Sequence, residues 1–305
     1  MNWFDMGKEA KSLDEQIQIL RDRGMILDCG EDKVKEHLLD IGYYRLGFYW
    51  FPFEKDNNSN DRKHCFVPDT KFSTIIDLYY LDVDLRHLLI KHINRIEINF
   101  RTKLVYYVSN KYKNSPVWFA DSKVMKRNFI NSFDDYYNDN FRRNKVIENH
   151  HRNNINDKYA PAWKTLEHFT FGTNFLIYKS LLENDMKKII SNCYGINDVD
   201  KFIKIIQMIV FVRNYCAHSG VMFDLRNTYG IPKLPFYQFN NKDRHCLDSC
   251  IKVIIYILSK ISQNRANELE QDLKNLFKKN AENPIIKNII ETKINYIYLG
   301  QTHEI

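Results

Sequence analysis

Residues 73–113 constrain the fold of this chain more than any other segment. Apolar side chains recur there at steps of three or four residues, the period of one face of an α-helix: Ile93, Ile96, Phe100, Leu104 and Tyr107. One break is expected, near Asp82–Asp84. The chain has only 10 glycines and 7 prolines in 305 residues, too few for the many turns of a β-protein. The sequence therefore predicts an all-α fold with this segment as its spine.

The residues before this segment predict two shorter helices and an aromatic stretch. A helix is expected over 12–27, because Ser12 and Glu15 form a capping box, and it should end near Gly24. A second helix is expected over about 31–41. Residues 42–53 then contain seven aromatic side chains. They predict either a wedge packed against the main helices or a surface on which RNA bases stack.

Residues 121–160 differ from the rest, since they are rich in Asn, Asp, Lys, Arg, Tyr and Phe and poor in aliphatic residues. We expect an exposed excursion between core helices, either a solvated insertion or a basic, aromatic lip that binds RNA. Its candidate RNA-binding residues are Arg142, Arg143, Lys145 and Arg152. The resulting division is an N-terminal helical region over 1–72 packed on the core, a helical core over 73–262 that contains this insertion, and a helical tail over 263–305.

Charge and cysteine usage narrow the function classes. The formal net charge of +7 suits RNA as a partner, although a Lys-rich surface without that role would give the same value. None of the six cysteines forms a C-x-x-C pair, and Cys246 and Cys250 are expected to be buried free thiols. His150-His151 lacks further ligands at metal spacing, so no metal or cofactor is expected. No signal region or membrane span is evident; a cytoplasmic protein is expected.

The segment Arg213 to His218 is the candidate catalytic centre. A helix that starts at Asn197 or Asp198 is expected to run into it, and Gly220 should stop that helix. RNA cleavage without metal requires activation of the 2′-OH, charge stabilisation on phosphorus and protonation of the leaving oxygen. Histidine transfers protons near neutral pH, and arginine holds phosphate through two nitrogens. An Arg and a His at this distance also occur by chance at cationic helix ends.

Helix geometry places a condition on this centre. Five residues turn through about 500°, which leaves Arg213 and His218 about 140° apart around an ideal helix. Asn214 and His218 share a face, so Asn214 is a third candidate, to orient His218 or to contact phosphate. A second copy of the motif from another subunit would complete a composite site, and we therefore expect a twofold homodimer.

Glu97 and Arg101 are candidate supporting residues on the long helix. Their spacing of four residues predicts either an intrahelical salt bridge or a buried pair that supports Arg213 or His218 from a facing helix. Glu167 and His168, farther along the chain, are weaker candidates.

Several segments together resemble the Abi-like family of bacterial abortive-infection proteins, the AbiD/AbiF group, over roughly residues 12–260. The segments that carry the resemblance are Ser12–Ile17 with Leu20 and Arg23-Gly24, Leu38–Leu46 with Tyr49-Trp50, Tyr79–Asp82 with Leu85-Arg86, Arg95–Glu97 with Arg101–Leu104, Pro161–Trp163 with Phe171-Gly172, and Arg213-Asn214 to His218. The long, Asn-rich segment after Trp118 departs from the family pattern.

The resemblance implies an all-α HEPN-type helical bundle whose motif is Arg-x4–6-His. Arg213, Asn214 and His218 fit this motif, and Glu97 and Arg101 match the family pattern in position. Related HEPN proteins cut RNA without metal and usually act as dimers. Some family members occur beside structured non-coding RNAs, so a bound regulatory RNA is an expected partner besides the substrate RNA.

Three functions remain open at this point. The first is a dimeric, metal-independent endoribonuclease used in phage defence or as a toxin. The second is a non-catalytic scaffold that holds a structured non-coding RNA. The third is a helical protein-interaction module that senses a phage component. Cleavage of RNA in EDTA would indicate the endoribonuclease. Copurification of RNA without cleavage would indicate the scaffold, and absence of RNA from the purified protein would indicate the interaction module.

Overall fold

The chain is described here by a computed structural model that covers residues 9–55, 63–235 and 238–297. Within these ranges, β-structure is limited to three isolated bridges, and the predicted all-α fold is confirmed. Fifteen α-helices follow one another there: α1 Leu13–Asp22, α2 Glu31–Asp40, α3 Tyr43–Trp50, α4 Phe72–Lys111, α5 Arg127–Asn131, α6 Phe133–Tyr136, α7 Asp139–Arg142, α8 Lys145–Asn153, α9 Ala162–His168, α10 Phe171–Ser180, α11 Asn184–Asn192, α12 Val199–Ala217, α13 Leu247–Ser259, α14 Gln263–Asn280 and α15 Pro284–Ile289.

The predicted capping box is present at the N-terminus of α1. The Ser12 hydroxyl accepts a hydrogen bond from the Glu15 N–H at 3.3 Å, and the Ser12 N–H donates to the Glu15 carboxylate at 2.7 Å. The helix is shorter than expected and ends at Asp22. Gly24 follows with a φ of 90°, a left-handed conformation that costs glycine little.

The backbone divides into two compact units. Of the described residues, one unit comprises 9–55, 63–85 and 276–290, and the other comprises 86–235, 238–275 and 291–297. The division into 1–72, 73–262 and 263–305 stays a prediction.

In the first unit, the aromatic stretch has a buried side and an exposed side. Tyr49 and Trp50 of α3 are buried in the core, whereas Tyr44 and Phe48 are 83% and 44% exposed. The two exposed rings lie edge to face with centroids 5.5 Å apart. The expected packing role is therefore confirmed for the inner face, and RNA stacking stays a prediction for the outer one.

The predicted break in the long helix is wrong. Helix α4 runs without interruption through 40 residues, and Asp82 is completely buried in it. The Tyr49 hydroxyl donates a hydrogen bond to the Asp82 carboxylate at 2.9 Å, and Arg45 donates to the same hydroxyl at 2.9 Å. A buried carboxylate that is hydrogen-bonded in this way is compatible with a helix interior.

In the second unit, α4 supplies a fully buried apolar stripe. Leu89, Ile93, Ile96, Phe100 and Leu104 are all 0% exposed. The Phe100 ring has aromatic neighbours on two other helices, with centroid distances of 5.8 Å, 5.5 Å and 6.3 Å to Phe171, Tyr178 and Phe202. Helices α10 and α12 therefore pack on α4, as the spine prediction requires within this unit.

The segment 121–160 is packed more fully than the expected excursion. It forms α5 to α8, and the ring of Phe133 is 1% exposed. That ring lies 4.9 Å from Phe119, 5.1 Å from Tyr159 and 6.0 Å from Phe169, between centroids. Aromatic side chains therefore make up much of the core of this segment.

Cysteine burial agrees with the sequence expectation. Cys246 and Cys250 are free thiols with no exposed surface. None of the helices in the described ranges is long and apolar enough to cross a membrane.

The aromatic core of the 121–160 segment leads to a stability prediction. Phe133→Ala should lower the free energy of unfolding by about 3–5 kcal/mol, because it leaves a cavity among packed rings. The matched control is Ile155→Ala, since Ile155 lies in the same segment and is 84% exposed; it should cost less than about 0.5 kcal/mol. Urea unfolding measures both. Equal urea midpoints for the two variants would contradict the conclusion that Phe133 lies in a packed core.

Candidate active site

Helix α12 brings the Arg213–His218 motif to its C-terminal end. The helix begins where the sequence predicts, because the Asp198 carboxylate accepts a hydrogen bond from the Lys201 N–H at 3.0 Å. Its buried face contains Phe202, Ile205, Ile206 and Ile209, among other residues. Burial of this face fixes the rotation of the helix, and therefore which motif residues lie at the surface.

The helix ends at Ala217 through a Schellman motif. Ser219 has a φ of 56°, and the Gly220 N–H donates to the Tyr215 carbonyl at 2.7 Å, which is the six-residue bond of that motif. The predicted stop near Gly220 is thus confirmed. The left-handed residue, however, is Ser219.

Glycine is required at position 220 because the Tyr215 ring approaches its backbone closely, and not because of a left-handed backbone conformation. A Cβ atom at this position would lie 2.3 Å from the Cδ1 atom of the Tyr215 ring. Arg86 of α4 donates a hydrogen bond to the Gly220 carbonyl at 3.1 Å. The backbone directly after His218 is therefore held by contacts from both α12 and α4.

Arg213 contacts a carboxylate on the facing helix. Its Nε atom lies 3.4 Å from Glu97 Oε2, and the two side chains are 27% and 12% exposed. One terminal nitrogen of Arg213 donates to the Asn214 side-chain oxygen at 3.4 Å. Glu97 is thus positioned to orient Arg213, the arrangement that the facing-helix alternative describes.

Arg101 takes a different partner from the one that its spacing predicts. Its Nη2 atom donates to Glu167 of α9 at 2.8 Å, and no ion pair joins it to Glu97 in the described structure. Glu167, which the sequence ranks as a weaker candidate, therefore belongs to this site. Two ion pairs, Glu97–Arg213 and Arg101–Glu167, link α4 to α12 and to α9 respectively.

Three polar atoms of this cluster are buried without a hydrogen-bond partner among the described residues: Glu97 Oε2, Arg101 Nε and Arg213 Nε. The Glu97–Arg213 contact is thus an ion pair without an aligned hydrogen bond. Buried polar atoms are nearly always hydrogen-bonded in proteins, and exceptions concentrate where a ligand or a catalytic role explains them. The cluster is therefore a candidate functional site on physical grounds.

Asn214 and His218 complete the surface of the site. Both side chains are exposed, and the His218 N–H donates to the Asn214 carbonyl at 2.9 Å. The His218 ring has no hydrogen bond or ion pair to any described residue. An exposed imidazole without a partner among the described residues is able to transfer protons at a bound phosphodiester.

The expected RNA-binding residues lie in two kinds of environment. Arg142 is held within its own segment, because it donates to the Lys158 carbonyl at 3.0 Å and lies 5.0 Å from the centre of the Tyr137 ring. Arg143 and Lys145 are exposed. Arg152 is exposed too and lies 3.6 Å from Glu148 on the same helix. Their role in RNA binding stays a prediction.

The sequence did not single out Arg86 or His92 as site residues. Arg86 contacts a backbone carbonyl, and nothing in the sequence marks such a contact. His92 of α4 lies within reach of Glu268 and Asp272 of α14, which are far away along the chain. Only the fold brings these three residues together.

Residues 36–224 match the family described as Abi-like protein. The matched range is more than half of the chain and includes Glu97, Arg101, Glu167 and the whole Arg213–His218 motif. The chain therefore belongs to the Abi-like protein family, which implies a context of abortive infection in phage defence. No curated protein and no solved structure matches the chain.

The close contact between residues 215 and 220 gives a stability prediction. Gly220→Ala should cost about 1–3 kcal/mol, because the new methyl group overlaps the Tyr215 ring. Adding Tyr215→Ala should relieve the overlap, so that the double variant differs from the sum of the single ones by at least about 1 kcal/mol. Thermal unfolding of the four chains measures this coupling. Additive effects would show that the ring and the glycine do not interact.

Proposed function

We propose that this chain is a metal-independent endoribonuclease of the HEPN type, active as a homodimer in abortive infection. The observation that carries the proposal is the arrangement at the end of α12. Arg213 is half-buried against Glu97 and in contact with Asn214, and the exposed His218 follows on the same helix end. Membership of the Abi-like family supports it.

The proposed reaction is attack of a ribose 2′-oxygen on the adjacent phosphorus. The 2′-O–P bond forms and the P–O5′ bond breaks, which leaves a 2′,3′-cyclic phosphate and a 5′-hydroxyl. His218 removes the 2′-OH proton or delivers a proton to the 5′-oxygen, and a second imidazole or water carries the other transfer. DNA lacks the 2′-OH and is not a substrate.

Arg213 stabilises the charge that develops on the phosphorane oxygens. A guanidinium stays protonated throughout and presents its nitrogens in a fixed plane. Glu97 contacts the Nε side of this plane, and Nη1 contacts Asn214. Nη2 has no partner among the described residues and is available for phosphate. Glu97 therefore acts as a positioning residue for Arg213.

The helix geometry supports a proposed composite site between two subunits. Helix α12 continues through Ala217, so Arg213 and His218 stay about 140° apart around its axis. Three exposed apolar side chains lie within one turn of site residues: Ile98, Trp163 and Tyr215. Together they would supply apolar surface for an interface between subunits. We therefore assign two motifs, one from each subunit, to one active site.

The alternative proposal is a non-catalytic scaffold that holds a structured RNA. The exposed side chains of Arg143 and Lys145 favour it, because unpaired cations on a surface bind the phosphate backbone. In this case Arg213 and His218 bind phosphate without cleaving it.

Cleavage of RNA in EDTA tests the catalytic assignment. The purified chain should cut 5′-labelled RNA and leave 2′,3′-cyclic phosphate ends, and His218→Ala should slow cleavage by at least about 100-fold, the usual contribution of a general acid or base. Arg213→Lys should also slow cleavage, since a point charge does not replace the planar guanidinium. Gel analysis of single-turnover reactions measures both rates.

The control for these rates is His87→Ala, which removes another exposed histidine, located on α4. This variant should cleave at the rate of the unmodified chain. Undiminished cleavage by His218→Ala would refute the catalytic role of the motif. Tight, salt-sensitive RNA binding by the unmodified chain without cleavage would instead support the scaffold.

Mixed dimers test the composite site. The unmodified chain is coexpressed at known ratios with an Arg213→Ala/His218→Ala double variant, so that the two kinds of chain assemble into mixed dimers. If one site needs both motifs, activity per total protein should fall with the square of the unmodified fraction. A linear decrease would indicate that each chain holds a complete site. Native mass spectrometry measures the proportions of the dimers.

A further inference from the structure

A buried histidine lies within the second unit, outside the candidate active site. His92 of α4 is 1% exposed, and neither of its ring nitrogens has a hydrogen-bond partner among the described residues. Burial of a polar ring without partners is unfavourable. A native protein normally compensates such a group with a ligand, an ion or water.

Two carboxylates face this ring. Glu268 and Asp272 lie four residues apart on α14, and therefore on one face of that helix. One ligand atom from each of His92, Glu268 and Asp272 lies within 4.8 Å of the other two. Lys91 contacts one oxygen of Glu268 at 2.6 Å, while the second oxygen of that carboxylate is left for another partner.

We propose that His92, Glu268 and Asp272 bind a divalent transition-metal ion, with Zn²⁺ as the representative case. One imidazole nitrogen and two carboxylate oxygens are donors that Zn²⁺ accepts, and water completes its coordination. In a tetrahedral site with bonds of about 2.1 Å, the donors lie about 3.4 Å apart. Since the ligand atoms lie within 4.8 Å of one another, each separation must shorten by at most about 1.4 Å.

Charge balance and protonation are compatible with this ion. Two carboxylates neutralise a divalent cation, and Lys91 remains beside Glu268 as an additional positive charge. Burial lowers the pKa of His92 and thus favours the neutral ring, which is the form that binds metal. The ion would satisfy a ring nitrogen that otherwise has no partner.

The expected role of this ion is structural. The ion would bridge α4 and α14, because it would be coordinated by His92 on α4 and by two carboxylates on α14. His92 lies five residues before Glu97 on α4, so the ion would also hold the part of α4 that positions Arg213. Glu268 and Asp272 lie outside the range that matches the Abi-like family. The site is therefore not a feature of the matched family region.

Calorimetric titration tests this site on the untagged full-length chain. The protein is stripped with EDTA, dialysed and titrated with ZnCl₂ without RNA. We expect one saturable Zn²⁺ site per chain, and a melting temperature that rises with Zn²⁺ because the ion binds the folded state. Asp272→Asn should weaken binding by more than about tenfold, because it removes one of three protein ligands. Asp272 is preferred to His92 because its substitution leaves the buried core unchanged.

The matched control is Glu270→Gln on the same helix. Its carboxylate contacts Lys274 at 2.8 Å and does not face His92, yet its loss changes the net charge by the same amount. Binding that is lost in Asp272→Asn and kept in Glu270→Gln supports the site. No saturable binding by the unmodified chain, equal binding by Asp272→Asn, or equal loss in both variants overturns it. None of these outcomes depends on RNA cleavage, so the site and the proposed function fail separately.

Discussion

The burial of one face of α4 is the constraint on which the second unit depends. Five apolar side chains on this face, from Leu89 to Leu104, have no exposed surface. Each fully buried aliphatic or aromatic side chain contributes about 1.5–3 kcal/mol relative to an exposed one, so the rotation of the helix is strongly determined. With the rotation fixed, Arg86, Glu97 and Arg101 reach their partners on other segments. His92 is placed near Glu268 and Asp272 of α14.

Features that depend on neighbouring residues could be predicted from the sequence. The Ser12–Glu15 capping box, the start of α12 at Asp198 and its stop near Gly220 each involve residues a few positions apart. The all-α fold is evident from helical spacing and from the scarcity of glycine and proline. The motif Arg213–His218 was likewise found as a local pattern, and the fold places it at a helix end.

Most features that depend on distant residues could not be predicted, although support of Arg213 by Glu97 was one of the two alternatives for that residue. A break was expected near Asp82–Asp84, but the Asp82 carboxylate is hydrogen-bonded inside the helix by a hydroxyl 33 positions away in the chain. Arg101 pairs with Glu167, 66 positions away, and not with the carboxylate one turn before it. The segment 121–160 was expected to be exposed because it is rich in polar residues, but its aromatic rings pack together in a core. In each case the partner is supplied by tertiary structure.

The contact between Tyr215 and Gly220 has a consequence for how this family varies. Residue 220 has no room for a side chain while an aromatic ring occupies position 215. A relative with the same helix end can therefore exchange the glycine only if the residue at position 215 becomes smaller. The two positions should accordingly covary across Abi-like proteins: an aromatic residue at the first would be accompanied by glycine at the second, two residues beyond the histidine of the motif.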